Sequence, residues 1–331
     1  VKQAAACTIL LLALLSGCSS PAVTMSPPVS PSAPAHVERE AIQFDTQAGP
    51  LTVLLYPEAA PKTVALMKQY VQEGYYVGRA FYRTVPGHVI QVSDATGGMT
   101  DDARRVPLET NATFHFSAGA VGIARDSDPG SGGPEFFVMD FATSHLDGNY
   151  TVWGQVISDL AVVHDIATRP AADSSAVPGP APNLLPFDRM ALVPVQIAGA
   201  HLVTLSLPEA QAAHYPLRVA RNVRAGDLRH SLEAPADLHA GAAGNLTWYI
   251  RAYGNAAAPT EGVSVRDSDG AVALGHAESG VYPLRWVPAT PGPHALRFFQ
   301  GDTLLATLTL DVPASAPQPA LVAGSPPKLG T

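Results

Sequence analysis

The sequence predicts a mainly β protein made of two modules: a closed barrel capped by two helices, then a β-sandwich. Three observations lead there. Short apolar or alternating runs recur along the 331 residues, and 31 Pro and 28 Gly supply turns between them. In the first module only two stretches repeat apolar residues at helical spacing, one near each of its ends. The length fits about two domains, and closing a sheet into a barrel removes its exposed edges.

The chain is 47% hydrophobic and 15% charged, and 20 basic against 28 acidic residues leave a net charge of −8. That balance argues against a nucleic-acid partner, which needs a basic footprint. At the N-terminus, Lys2 precedes an apolar run from Ala4 to Leu15, too short for a typical membrane-spanning helix. The run ends in Leu15-Ser16-Gly17-Cys18. This resembles the bacterial lipobox, in which cleavage precedes the cysteine and the thiol receives lipid. Cys7 falls in the segment to be removed, so no internal disulfide and no Cys-based metal site is expected. One acyl chain anchors only marginally; the lipoprotein resemblance implies several on Cys18. The expected location is the bacterial cell envelope. In an organism with two membranes the periplasmic face of the outer one is favoured, because Ser19 rather than Asp follows Cys18. Ser19 to about Ala35 is a Pro/Ser/Ala tether that cannot bury a core.

The elements follow in order. Ile42 to Thr46 and Leu51 to Tyr56 read as a hairpin around Gln47-Ala48-Gly49-Pro50. Pro61 suits the first turn of a helix; Val64, Met67 and Val71 give it one apolar stripe with Tyr70 beside it, and Gly74 closes it. Phe81 to Asp94 reads as two short strands joined by Pro86-Gly87, since Pro presets a turn and Gly tolerates positive φ. On these strands Phe81, Arg83 and Val85 share one face, as do Val89, Gln91 and Ser93. If the two faces coincide, an amide stands ready to orient an arginine beside apolar side chains. Ala95 to about Pro107 is a polar loop, Ala118 to Ala124 a buried strand, and Glu135 to Met139 another. His145 to Tyr150 holds a turn, and Thr151 to Ile157 is a strand. Ser158 is a candidate cap for a short helix whose Leu160, Val163 and Ile166 face inward. Arg169 to Pro186 is a loop, and Val193 to Ile197 the closing strand. Leu207 to Pro235 carries little pattern beyond one helical turn at Glu209 to His214. From Asp237, strand-like runs at Leu246–Tyr253, Gly262–Arg266, Val281–Trp286, His294–Phe299 and Thr303–Val312 alternate with turns, which suggests a sandwich.

Six pieces of the first module, in order, resemble the cyclophilins, the family of peptidyl-prolyl cis–trans isomerases. Ala60-Pro61-Lys62-Thr63-Val64 resembles A-P-K-T-V, Phe81 to Gly87 resembles F-H-R-V-I-P-G, and Gln91 to Asp94 resembles Q-G-G-D. Gly122 to Arg125 resembles the S-M-A segment, Glu135-Phe136-Phe137 resembles Q-F-F, and Leu146-Asp147-Gly148 with Val152-Trp153-Gly154 resembles L-D-G-x-x-x-V-F-G. The resemblance runs from about Glu40 to Thr204. It implies an eight-stranded antiparallel barrel capped by two helices. In the second module, Gly280 to Pro288 and Pro291 to His294 loosely resemble Ig-like, filamin-type repeats. The expected division is 1–17 leader, 18–37 lipidated Cys and tether, 38–205 cyclophilin-like barrel, 206–236 connector, 237–313 Ig-like sandwich and 314–331 disordered tail.

The resemblance implies that Arg83 is the catalytic donor and that Gln91 orients it. Val89, Phe137 and Leu146 form an apolar floor for the proline ring, and Phe81, His88, Glu135, His145 and Tyr150 complete the substrate site. The backbone around Ala124 and Arg125 pairs with the substrate chain. No cofactor and no metal is required, and the partners are proline-containing peptides or unfolded exported proteins, with the membrane reached through Cys18. The sequence also departs from the family. His88 stands where a pocket Phe is usual, Glu135 replaces a substrate-binding Gln, and Val92-Ser93 replace Gly-Gly. His145 and Tyr150 stand where eukaryotic members often carry Trp and His, a change expected to weaken cyclosporin-type binding. These departures keep a rival open: a catalytically weak or inactive cyclophilin-fold lipoprotein that serves as a binding scaffold. Other constellations carry less. Ser131 lacks the Gly and the strand-to-helix turn of a nucleophile elbow, and Asp267-Ser268-Asp269-Gly270 lacks the distal Glu of a calcium loop. Trp248, Tyr249, Tyr253 and Trp286 are expected to be core residues more than an exposed aromatic surface.

Overall fold

The computed structural model describes residues 36–93, 103–173, 189–225, 228–252, 258–259, 261–267, 270–276 and 280–316. The leader, Cys18, the tether, Tyr253 and most of the tail lie outside the described residues. The first module holds β1 (His36–Thr46), β2 (Gly49–Leu55), α1 (Pro61–Gln72), β3 (Ala80–Val85), β4 (Val89–Ser93) and β5 (Ala120–Ile123). It continues with β6 (Phe136–Met139), β7 (Val152–Val156), α2 (Ala161–Thr168), β8 (Ala171–Asp173) and β9 (Arg189–Pro208). Strands pair antiparallel in the order β1-β2-β7-β5-β6-β4-β3-β9, and β9 pairs back onto β1. The result is the closed eight-stranded barrel that the resemblance implies. An unforeseen β8 pairs with the start of β9, in the stretch read as a loop.

Small barrels are filled by their own side chains. Here Phe136 is the hub. Its ring meets Phe44 at 5.1 Å, Tyr76 at 5.4 Å, Trp153 at 5.8 Å and Phe81 at 6.2 Å. α1 starts at Pro61, as expected, and buries Val64, Met67, Tyr70 and Val71. Its first amides, those of Lys62 and Thr63, donate to the Glu109 carboxylate at 3.0 and 2.8 Å. A negative group there satisfies orphan N–H donors and complements the helix dipole. Gly74, with φ +68°, follows its last turn. α2 corrects two expectations. Ser158 does not cap it; the Ser158 hydroxyl accepts from the Thr52 amide at 3.1 Å, and Asp159 receives the Ala161 amide at 2.9 Å. Leu160 is exposed, whereas Val163 and Ile166 are buried.

After the barrel strands, α3 (Glu209–Ala212) packs on β9 and β1, and the second module begins with β10 (Arg218–Ala225), β11 (Leu228–Ala234), β12 (Gly244–Ala252) and β13 (Val263–Asp267). It ends with β14 (Gly270–Leu274), β15 (Val281–Trp286), β16 (Gly292–Gln300) and β17 (Thr303–Val312). The order β10-β11-β12-β15-β14-β13-β16-β17 folds over a core that includes Trp248, Tyr282, Trp286 and Phe298. Trp248 lies 4.2 Å from Phe298 and 4.5 Å from Tyr282, centre to centre, so the tryptophans are core, as expected. The boundary at 237 is corrected. Residues expected to form a connector build β10 and β11, and β11 pairs with β12 over Leu228 to Glu233.

β11 also sets the two modules against each other. Its side chains alternate: His230 and Leu232 are fully buried, with His230 stacked on Trp248, and Arg229, Ser231 and Glu233 meet the barrel. Ser231 donates to the Ala142 carbonyl at 2.9 Å, and Glu233 accepts the Ala118 amide at 2.5 Å and the Tyr249 hydroxyl at 2.9 Å. Tyr249 packs on Phe141 of the barrel, 5.3 Å between rings. Burial pushes the Glu233 carboxyl up to about 7, although both hydrogen bonds pull the other way.

Candidate active site

One row of cross-strand neighbours organises the site. Arg83 on β3 pairs with Gln91 on β4, Gln91 with Phe137 on β6, and Phe137 with Gly122 on β5. Directly opposed residues point to the same side of a sheet, and adjacent strands lie about 4.8 Å apart. A cation, an amide, an aromatic ring and a bare backbone therefore stand in line on the outer surface of the barrel. Phe136 and Phe137 take opposite faces by strand alternation, one into the core and one into this row.

Arg83 Nη1 donates to Gln91 Oε1 at 3.0 Å. Gln91 Nε2 donates to the Tyr82 hydroxyl at 3.0 Å and to Glu135 Oε2 at 3.3 Å. One amide thus fixes the guanidinium on one side and is itself fixed on the other. The turn behaves as read: His88 N–H donates to the Val85 carbonyl at 2.9 Å, and Gly87 has φ +67°. Asp140 Oδ2 accepts the Gly87 amide at 2.6 Å and secures the turn.

The expectation that Phe81 shares a face with Arg83 is corrected. A bulge between Phe81 and Arg83 sets Tyr82 and Arg83 against Gln91 alone. One extra residue reverses which side each later side chain faces. Phe81 therefore turns inward onto Phe136 and is fully buried, so it is a core residue and not a substrate contact. The same bulge brings in Tyr82, which strict alternation places on the far side.

Phe137 stacks on Phe116 at 5.5 Å and meets Tyr150 edge-on at 5.8 Å. Leu146, Tyr150 and Ala124 pack partly buried against the same core. Phe137 is 4% exposed and Val89 2%, so the apolar floor is shallow. Asp147 holds the Leu146 loop, accepting from the Phe116 amide at 2.9 Å and contacting His115 Nδ1 at 2.8 Å. His88 lies on His145, 5.5 Å between ring centres and nearly parallel. The Ala124 N–H already donates to the Glu135 carbonyl at 2.9 Å. The Arg125 guanidinium reaches the Asn149 carbonyl at 2.7 Å and covers the Tyr150 ring at 4.5 Å. Ser131 donates to the Asp128 carbonyl within its loop. Among the described residues no group of three His, Cys, Asp or Glu could hold a metal ion.

Comparison with known proteins decides the family. The profile of "cyclophilin type peptidyl-prolyl cis-trans isomerase/CLD" matches residues 41–184. A probable peptidyl-prolyl cis-trans isomerase of Brucella suis is 38% identical over 144 residues, which cover 40% of this chain and 74% of the relative. The chain belongs to the cyclophilin-type peptidyl-prolyl cis–trans isomerases. A peptidyl-prolyl cis-trans isomerase-like 1 protein of Aspergillus oryzae is 35% identical over 127 residues, covering 37% of this chain and 78% of that one. A crystal structure of a Cryptosporidium parvum cyclophilin determined with the dipeptide Ala-Pro aligns at a TM-score of 0.43 and 20% identity, over 49% of this chain and 98% of that one.

In this cyclophilin the glycine of the row has a definite use. A Cβ at Gly122 would lie 2.3 Å from Phe137 Cζ and 2.7 Å from Phe116 Cε1. Gly122→Ala is expected to force both rings aside, lowering stability by about 1–3 kcal/mol and slowing prolyl turnover more than the loss of folded protein explains. Thermal melting alongside an isomerisation assay checks it; unaltered turnover would separate the Phe137 ring from substrate binding.

Proposed function

We propose that this cyclophilin isomerises prolyl bonds in exported proteins at the bacterial envelope, with Arg83 as the group that stabilises the twisted amide. Rotation about the C–N bond costs ~18–20 kcal/mol, and uncatalysed prolyl isomerisation takes tens to hundreds of seconds. Twisting breaks conjugation and returns a lone pair to the imide nitrogen. A guanidinium held in place donates to that pyramidal nitrogen, or to the neighbouring carbonyl oxygen, better than to the planar ground state. The observation that carries this reading is the row itself: Gln91 holds Arg83 two strands from the Phe137 ring. Val89, Phe137 and Leu146 would receive the proline ring, with His88, Glu135, His145 and Tyr150 around it. The chemistry needs no nucleophile and no cofactor.

The test is a proline-isomerisation assay on the whole chain. The expected result is a rate well above background. A folded chain that binds proline peptides without turning them over would instead support the binding scaffold, a reading favoured by the shallow floor and by the imidazole of His88 stacked on His145. The Ig-like likeness of the sandwich fits either role, as added binding surface or as spacing.

The envelope location rests on the sequence, where Leu15-Ser16-Gly17-Cys18 ends an apolar run. With Cys18 lipidated, the chain expressed in a bacterial host is expected in the detergent phase, and Cys18→Ala in the aqueous phase. Equal partition of the two would remove the anchor.

A further inference from the structure

We propose that Arg229, supplied by the C-terminal sandwich, is a specificity residue of the prolyl site and selects peptides that carry an Asp or Glu side chain on one side of the proline. This rests on the isomerase reading above and adds a residue from outside the barrel. Arg229 Nη1 lies 3.4 Å from His145 Nδ1. The Thr143 hydroxyl, 2.6 Å from the same nitrogen, fixes the ring from its own strand end, and the guanidinium lies alongside that pair. His145 in turn stacks on His88, and the next residue, Leu146, belongs to the apolar floor. The Arg229 charge therefore sits at the rim, behind the two-imidazole wall.

The backbone position of Arg229 is set by the pairing of β11. It is the first of three alternate residues on β11, followed by Ser231 on the Ala142 carbonyl and Glu233 on the Ala118 amide. Phe141 and Tyr249 pack beside them, and a small cleft lined by Gly87, Thr143, Arg229 and Ser231 joins this seam to the Pro86-Gly87 turn. On the Gln91 side the Arg83 guanidinium and the Glu135 carboxylate both contact one amide, at 3.0 and 3.3 Å, so charges of both signs are already present there. Arg229 adds a cation on the His145 side. A peptide laid across the site meets that added charge on one side, which is why the preference is confined to one side of the proline.

The experiment uses the full chain and tetrapeptides in which Glu, Ala or Lys precedes or follows proline, read both as kcat/KM and as affinity by calorimetry. A partly exposed charge pair predicts a preference for Glu over Ala of about two- to fivefold on one side of proline, weaker in 0.5 M salt as screening increases. Arg229→Gln should bring that ratio to about one, and Arg229→Glu should turn the preference towards Lys, with melting curves confirming the fold. A ratio that survives both substitutions, or that is the same on both sides of proline, overturns the proposal. If wild type turns over no peptide, the isomerase reading fails, and the affinity ratios still decide whether Arg229 selects acidic chains.

Discussion

Arg83→Ala is expected to lower kcat/KM for prolyl peptides by about 10²–10³-fold, the range seen when a single preorganised donor to a developing charge is removed. The fold should hardly notice. Arg83 lies on the outer face, and its bond to Gln91 is the kind that contributes about 0.5–1.5 kcal/mol. Gln91 keeps the Tyr82 hydroxyl and Glu135 as partners, so it is not stranded. Arg83→Lys should recover only part of the rate, because an ammonium lacks the planar fork that Gln91 aligns. Rates within tenfold of wild type, or loss of the cooperative melt, would make Arg83 a structural residue and leave the scaffold reading in its place.

Replacing Glu233 with Gln is expected to change how stability responds to pH. The folded carboxyl titrates at about 7, against about 4.5 when unfolded. Below about 4.5 both states hold the proton. Between 4.5 and 7 only the folded state does, so its contribution to stability declines as pH rises, by about 3 kcal/mol in all. His230, buried beside Trp248, acts in the opposite sense. Burial lowers its pKa to about 4, so below the ordinary histidine range the unfolded chain takes up a proton that the folded one refuses. The two terms offset each other in wild type, which should show little slope between pH 4.5 and 6.5. Glu233→Gln removes one of them, and its stability should climb with pH across that window. Denaturant titrations at half-unit intervals measure both; parallel curves for wild type and variant would mean that Glu233 does not hold its proton on folding.

The elements of the barrel were largely legible in the chain. Pro61 and Gly74 bracket α1, Pro86-Gly87 makes its turn, and Phe136-Phe137 divides by alternation between core and site. The departures from the local pattern are of one kind. A bulge at Tyr82 has no signature of its own, because it depends on how β3 meets both β4 and β9. Alternation therefore put Phe81 in the site and left Tyr82 out. The cap of α2 failed similarly: Ser158 has the right side chain, but the Thr52 amide of a neighbouring strand competes for it. β11 lacks the usual apolar alternation, because its Arg-His-Ser-Leu-Glu run buries polar residues on the barrel-facing side.

The residue order alone determined a mainly β protein with two capping helices, and six short motifs that resemble the cyclophilins. The strands, helices and turns are written in local periods and turn chemistry, which depend only on near neighbours in the chain. Tertiary structure decided which of them meet. Register across four strands put Arg83, Gln91, Phe137 and Gly122 in one row, and a strand more than eighty residues beyond His145 brought Arg229 to its rim. Such contacts arise from the pairing of distant segments, and no short window of sequence contains both partners.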